Sequence, residues 1–172
     1  ERIPIGPRPG SPPNEEYARR REAETARIKA ARLKDHAAEG WRQKFIYPAF
    51  GRISGRFGSQ RIYNGVPGSY HSGMDIATGT SGTPFVAPAD GVVILAAESS
   101  FSLEGRLLMI DHGMGLNSAF LHASALDVRV GDRVRIQRAG DQTNLGDDPA
   151  IVQTASTQLA RAGGRRRVPW SP

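Results

Sequence analysis

Residues 91–122 read GVVILAAESSFSLEGRLLMIDHGMGLNSAFLH, and this stretch decides the fold. Gly91-Val92-Val93-Ile94-Leu95-Ala96 is a short apolar run rich in β-branched residues, as in a strand buried on both sides. Arg106-Leu107-Leu108-Met109-Ile110 is a second such run, ended by the turn signal Asp111-His112-Gly113. Asn117-Ser118-Ala119-Phe120-Leu121-His122 is a third, with a histidine near its end. Strands separated by glycine-rich punctuation at intervals of about 8–12 residues predict an antiparallel β protein. Downstream, Val128 to Val134 reads as a short strand and turn. Upstream, the apolar period shifts toward two from Phe45 onward, so the β region begins there.

Within it lies His71-Ser72-Gly73-Met74-Asp75. Zinc accepts imidazole nitrogen and carboxylate oxygen at about 2.0–2.2 Å, and a hydrolytic site takes three protein ligands plus a water. A histidine and an aspartate four positions apart therefore make a candidate ligand pair. In a straight strand they would sit roughly 13 Å apart, at about 3.3 Å per residue. Convergence on one ion needs a bend, and Gly73 is the expected place for it.

Four ordered segments carry a resemblance: FGSQRIYNGVPGSYHSGMDIA, GTPFVAPADGVVILA, GRLLMIDHGMGLNSAFLHAS and VRVGDRV. Together, from Phe57 to Val134, they resemble the lysostaphin/LytM-type zinc endopeptidases, metallopeptidase family twenty-three. The lead-in from Arg27-Ile28 to Phe50-Gly51-Arg52-Ile53-Ser54-Gly55 resembles Gram-negative members that carry an upstream helix. The resemblance implies a mainly β, antiparallel LytM/lysostaphin-like (duplicated hybrid motif-like) domain. It implies His71 and Asp75 as Zn2+ ligands, His122 as a catalytic histidine, and the peptides of bacterial peptidoglycan as the substrate. It also implies a periplasmic or cell-envelope location. The chain departs from the pattern in two small ways. Ala123 stands where leucine usually follows the histidine, and about one extra residue separates Asp75 from Gly82-Thr83-Pro84, a place that reads as a loop.

The large departure is downstream. The family continues with a glycine-rich hairpin and a His-x-His strand, which supplies the second catalytic histidine and the third zinc ligand. This chain has four histidines, His36, His71, His112 and His122, and none follows His122. His112 fits a turn after a strand, and His36 fits a solvated position in a polar helix. From Ile136 to Pro172 the strand pattern is lost. Reading Thr154-Ala155-Ser156-Thr157-Gln158-Leu159-Ala160 one base downstream permits Pro-His-Leu-His-Ser-Trp. The same shift over Asp141 to Pro149 permits Ile, Thr, Ala-Thr and Arg where the family has its hairpin. The expectation is that 136–172 is a frameshift product, to be settled by resequencing the gene around codons 134–160.

The remaining organisation follows from composition. Residues 1–13 hold five prolines and two glycines and read as a tail. Residues 14–44 read as a charged helix, with Asn14 as N-cap and Glu15 and Glu16 complementing the dipole. Its apolar residues, Tyr17, Ile28, Leu33 and Trp41, make only a thin stripe. The domain proper is expected over 45–135.

The chain has 172 residues, 38% of them hydrophobic, enough for one domain with an appendage. Cysteine is absent, which excludes disulfides, thiolate zinc sites and cysteine nucleophiles. No run is long and apolar enough to span a membrane. No signal peptide is visible, and the chain starts with Glu1 rather than Met, which reads as a processed or partial product. The formal charge of +6 gathers in Arg19-Arg20-Arg21 and Arg165-Arg166-Arg167, but no nucleic-acid-binding signature accompanies it, and no nucleic-acid partner is expected. Three functions compete: a zinc endopeptidase acting on peptidoglycan, impaired here by its missing ligand and base; a non-catalytic LytM-like module that binds or activates other wall hydrolases; and a basic polyanion-binding protein.

Overall fold

The computed structural model describes residues 2–3, 15–63, 65–80, 82–136 and 152–154. A central antiparallel sheet is built on β7 (Gly91–Ala96), β8 (Arg106–Asp111) and β9 (Asn117–Ala125). All three strands coincide with the apolar runs of residues 91–122. Short strands complete the order β10-β7-β8-β9-β11-β6, with β6 at Thr83–Phe85, β10 at Arg133–Val134 and β11 at Val152–Thr154. Two smaller sheets flank it. β2 (Arg52–Gly55) pairs with β5 (Asp75–Ala77), while β1 (Arg2–Ile3) and β4 (Val66–Tyr70) flank β3 (Gln60–Tyr63).

The sheet is apolar on both faces because both are covered. Val93, Leu108, Ile110 and Phe120 point to one side and pack with Phe85, Val128 and Val134. Phe85 and Phe120 stack with ring centroids 4.6 Å apart. Ile94, Leu107, Met109 and Ala119 point to the other side, where Ala31 and Ile28 of α1 (Glu15–Arg32) cover them together with Phe101. Alternation is thus present along β8, where it sorts residues between two cores rather than between core and water, while a bulge in β7 puts Ile94 and Leu95 in the same core.

The helix differs from its expected span of 14–44, since it stops at Arg32. Leu33 is 85% exposed and Tyr17 is exposed too, so of the thin apolar stripe only Ile28 packs on the core, beside Ala31. Residues 33–50 run instead as a strap across the domain. The Trp41 amide donates to His112 O (2.9 Å), Ile46 to Pro88 O (3.0 Å), and Val86 to Pro48 O (2.8 Å). Gly40 lies so close to the Asp90 carbonyl that any Cβ would overlap it.

Two histidines fasten this strap, His36 from within it and His112 from the end of β8. His112 is fully buried; its Nδ1 lies 2.7 Å from Asp90 O and its Nε2 2.9 Å from Ser118 Oγ. Phe45 meets its ring edge-on at 4.9 Å. His36 lies beyond the helix rather than within it. Its amide donates to the buried carboxylate of Asp111 (2.8 Å), with Nδ1 3.4 Å away. Both are therefore fastening residues. The expected N-cap Asn14, and the tail save for β11, fall outside the described residues.

Candidate metal centre

The bend between His71 and Asp75 exists, and its origin is a break between sheets. β4 ends at Tyr70 and β5 begins at Asp75, so residues 71–74 carry the chain from one sheet to another. Gly73 is buried in this passage, where the bend was expected, but is not among the glycines with positive φ. The change of sheet alone brings the two side chains together, with His71 Nε2 3.3 Å from Asp75 Oδ1.

Three features prepare the pair for an ion. His71 Nδ1 lies 3.2 Å from the Arg56 carbonyl. A carbonyl only accepts, so Nδ1 is the donor there, and Nε2 is the nitrogen turned toward Asp75. Nε2 is buried yet has no hydrogen-bond partner, an arrangement that costs free energy unless something else takes the lone pair. Gly55 of β2 sits directly across from Asp75 in the strand register. A Cβ at residue 55 would overlap Asp75 Oδ2 and press to 3.1 Å from His71 Cε1. The cradle thus exists only because residue 55 is glycine. Neither Gly55 nor the Arg56 carbonyl was singled out from the sequence; the signal was the Ser54-Gly55 end of the lead-in, whose register with Asp75 only the fold supplies.

His122 lies on β9, in the central sheet, with an exposed side chain. Its φ is +59°, a left-handed value for a non-glycine residue. Arg106 faces Ala123 and Leu108 faces Phe120, so Leu121 and His122 together oppose Leu107 in a bulge. Bulges of this kind re-aim a side chain out of the regular pleat. Among the described residues no group of three His, Asp or Glu side chains is arranged to hold a metal; His71 and Asp75 meet as a pair.

The fold is a two-faced antiparallel sheet with the His71–Asp75 pair at its flank. Residues 69–142 match Peptidase family M23. The chain is 34% identical over 113 residues to the lipoprotein NlpD/LppB homolog of Pseudomonas aeruginosa, covering 65% of this chain and 34% of that protein. A solved structure from Pseudomonas aeruginosa assigned to peptidase M23 superposes with a TM-score of 0.59 at 29% identity, covering 86% of this chain and 60% of that one. A zinc-containing peptidase from Vibrio cholerae superposes with a TM-score of 0.49 at 24% identity, covering 69% and 37%. The chain spans 34% of the length of its curated relative and 60% of the first solved one. Together these similarities support a LytM-type domain of the peptidase M23 kind.

Proposed function

We propose that this domain is built for zinc-dependent hydrolysis of peptide bonds in bacterial peptidoglycan, and that the chain as written holds only half of the site. The observation that carries the reading is the orphaned, buried Nε2 of His71 beside Asp75, in a cradle that glycine keeps open. His71 and Asp75 would hold the ion, and the Arg56 carbonyl would keep the imidazole in the ligating tautomer. A bound zinc would supply a water of lowered pKa and polarise the scissile carbonyl. His122 would hold a proton or stabilise developing negative charge at the substrate. The match of residues 69–142 to Peptidase family M23 and the similarity to a lipoprotein support the peptidoglycan substrate and an envelope or periplasmic location.

Two donors leave an ion with too few fixed ligands, and loss of an acid/base partner costs typically 10²–10⁴-fold. The chain as written is therefore expected to bind zinc weakly and to cleave poorly. β11 bears on the missing part. Thr154 pairs with Ala123, the neighbour of His122, and with Thr83. The downstream-shifted frame writes its His-x-His beginning one position beyond Thr154.

The second reading is a non-catalytic LytM-like module. It is supported by the lack of a three-donor group among the described residues. The polyanion reading weakens, because Arg20 and Arg21 of the basic run are engaged with Glu24 and Glu104. The test compares the chain as written with a form whose frame is restored through codons 134–160, each with a His71→Ala control. Metal content and muropeptide release should rise together on restoration and vanish with His71→Ala. Unchanged values after restoration would leave the non-catalytic module as the better account.

A further inference from the structure

We infer that α1 sets the backbone at His122 through the turn at residues 101–105, which makes Arg21 and Glu104 positioning residues for that histidine. The inference deepens the reading of His122 as catalytic and rests on it for its functional meaning. Its physical basis is the double role of Glu104. The Glu104 carbonyl accepts the His122 N–H at 2.8 Å, which helps hold the β9 bulge in its left-handed conformation. The Glu104 carboxylate accepts the guanidinium fork of Arg21, at 2.6 and 2.7 Å. Next to it, Gly105 supports His122 from below: a Cβ there would stand 3.0 Å from Nδ1 and 3.2 Å from Cα. The height of this turn therefore decides where the His122 backbone sits.

The turn has little of its own to fix that height. Phe101 and Gly105 exchange two backbone hydrogen bonds, at 2.8 and 3.1 Å, and Phe101 is buried against the sheet. The other constraints come from one face of α1. Glu24 accepts the Ser102 N–H (2.8 Å) and Oγ–H (3.0 Å), and Arg20 donates to Ser100 O (2.7 Å). The Arg27 guanidinium lies 4.9 Å from the Phe101 ring centroid. Burial alone would push the Glu24 carboxyl up, but the donors from Ser102, Arg20 and Arg21 more than offset it and hold the pKa below its usual value. A helix needed only to cover a core would dock through an apolar stripe. This one grips a single turn with charged side chains, and the far side of that turn carries His122.

The experiment uses the full chain with labelled histidine. The His122 imidazole resonances and amide exchange are recorded for the parent, Arg21→Ala, Glu104→Ala, the double variant and Arg21→Lys. Val128→Ala, a core change in the opposite layer, serves as the general-destabilisation control. Arg21→Ala and Glu104→Ala should each displace the His122 resonances and speed its amide exchange by about two- to tenfold, the range for losing one ordinary hydrogen bond. The double variant should go no further than the larger single, because both break one link. Arg21→Lys should rescue only in part, since lysine lacks the fork. His122 resonances unmoved by Arg21→Ala, or moved equally by Val128→Ala, would overturn the coupling. Failure of the catalytic reading shows elsewhere: His122→Ala in the frame-restored form would then cleave as fast as its parent while the coupling persisted.

Discussion

At the scale of single residues, two glycine and histidine positions carry opposite lessons. His71 and Asp75 were visible as a candidate pair and their convergence was expected through a bend, but that a change of sheet between β4 and β5 makes the bend was not. Gly55 was invisible, because absence of a side chain matters only once the fold puts Asp75 opposite. Gly55→Ala should leave the fold in place at a cost of about 1–3 kcal/mol, typical of forced overpacking. In the frame-restored form it should cut activity by about 10²-fold, the order expected for a displacement near 1 Å. A thermal melt and a muropeptide assay separate the two effects, and full activity in this variant would show that the cradle is not needed. His112 gives a pH prediction. Burial, the largest influence, outweighs the raising effects of the Asp90 carbonyl and of the Asp111 and Asp90 charges, so its pKa lies below the ordinary 6.5. The unfolded chain therefore takes up the proton first as pH falls below about 6.5, and stability drops from there toward the lower folded pKa. Urea melts between pH 7 and 5 should show a steeper loss for the parent than for His112→Gln. Equal slopes would mean that the folded ring protonates as readily as the unfolded one.

At the scale of elements, the strands were legible and the helix only partly so. Residues 91–96, 106–110 and 117–122 declare themselves because covering both faces leaves no polar alternation to confuse. The two-residue bulge at Leu121 and His122 was hidden, since nothing in that apolar run marks an extra residue. The end of α1 was hidden too. Residues 33–44 keep a helix-like composition, but the backbone is drawn away to Asp111, His112 and Asp90 as a strap. The docking of α1 was illegible for a better reason: it depends on Glu24, a buried acid in a sequence that looks uniformly solvated. Glu24→Ala should remove the acceptor for Ser102 and leave Arg20 and Arg21 less engaged. A charged hydrogen-bonded group contributes about 1.5–3 kcal/mol. The lower end applies here, because Arg20 is 59% exposed and solvent screens that pair. Urea denaturation of Glu24→Ala against Arg19→Ala, whose exposed pair with Glu15 should contribute almost nothing, measures the difference. Equal midpoints would show that Ile28 and Ala31 alone hold the helix.

At the scale of the whole molecule, the central question is what the sheet does where its ordinary sequence stops. The strand pattern was readable to Val134, where β10 ends. β11 lies between β9 and β6, pairing with both, so it closes a seam that would otherwise leave two edges unpaired. Pairing of backbone groups is largely indifferent to side chains, whereas packing and metal ligation are not, so β11 closes the seam whatever its side chains supply to the site. This gives an ordered stability series. Ending the chain at Ile136 should lower the melting temperature and promote self-association, because the freed strand edges are templates for pairing with other chains. Restoring the frame should raise the melting temperature above that of the chain as written, and added zinc should raise it further only in the restored form, since binding to the folded state alone stabilises it. Calorimetry with and without chelator, alongside sedimentation, checks all three forms. A truncated chain as stable and as monomeric as the full one would show that β11 contributes nothing. Zinc stabilisation of the chain as written would show that residues beyond His71 and Asp75 already complete a metal site.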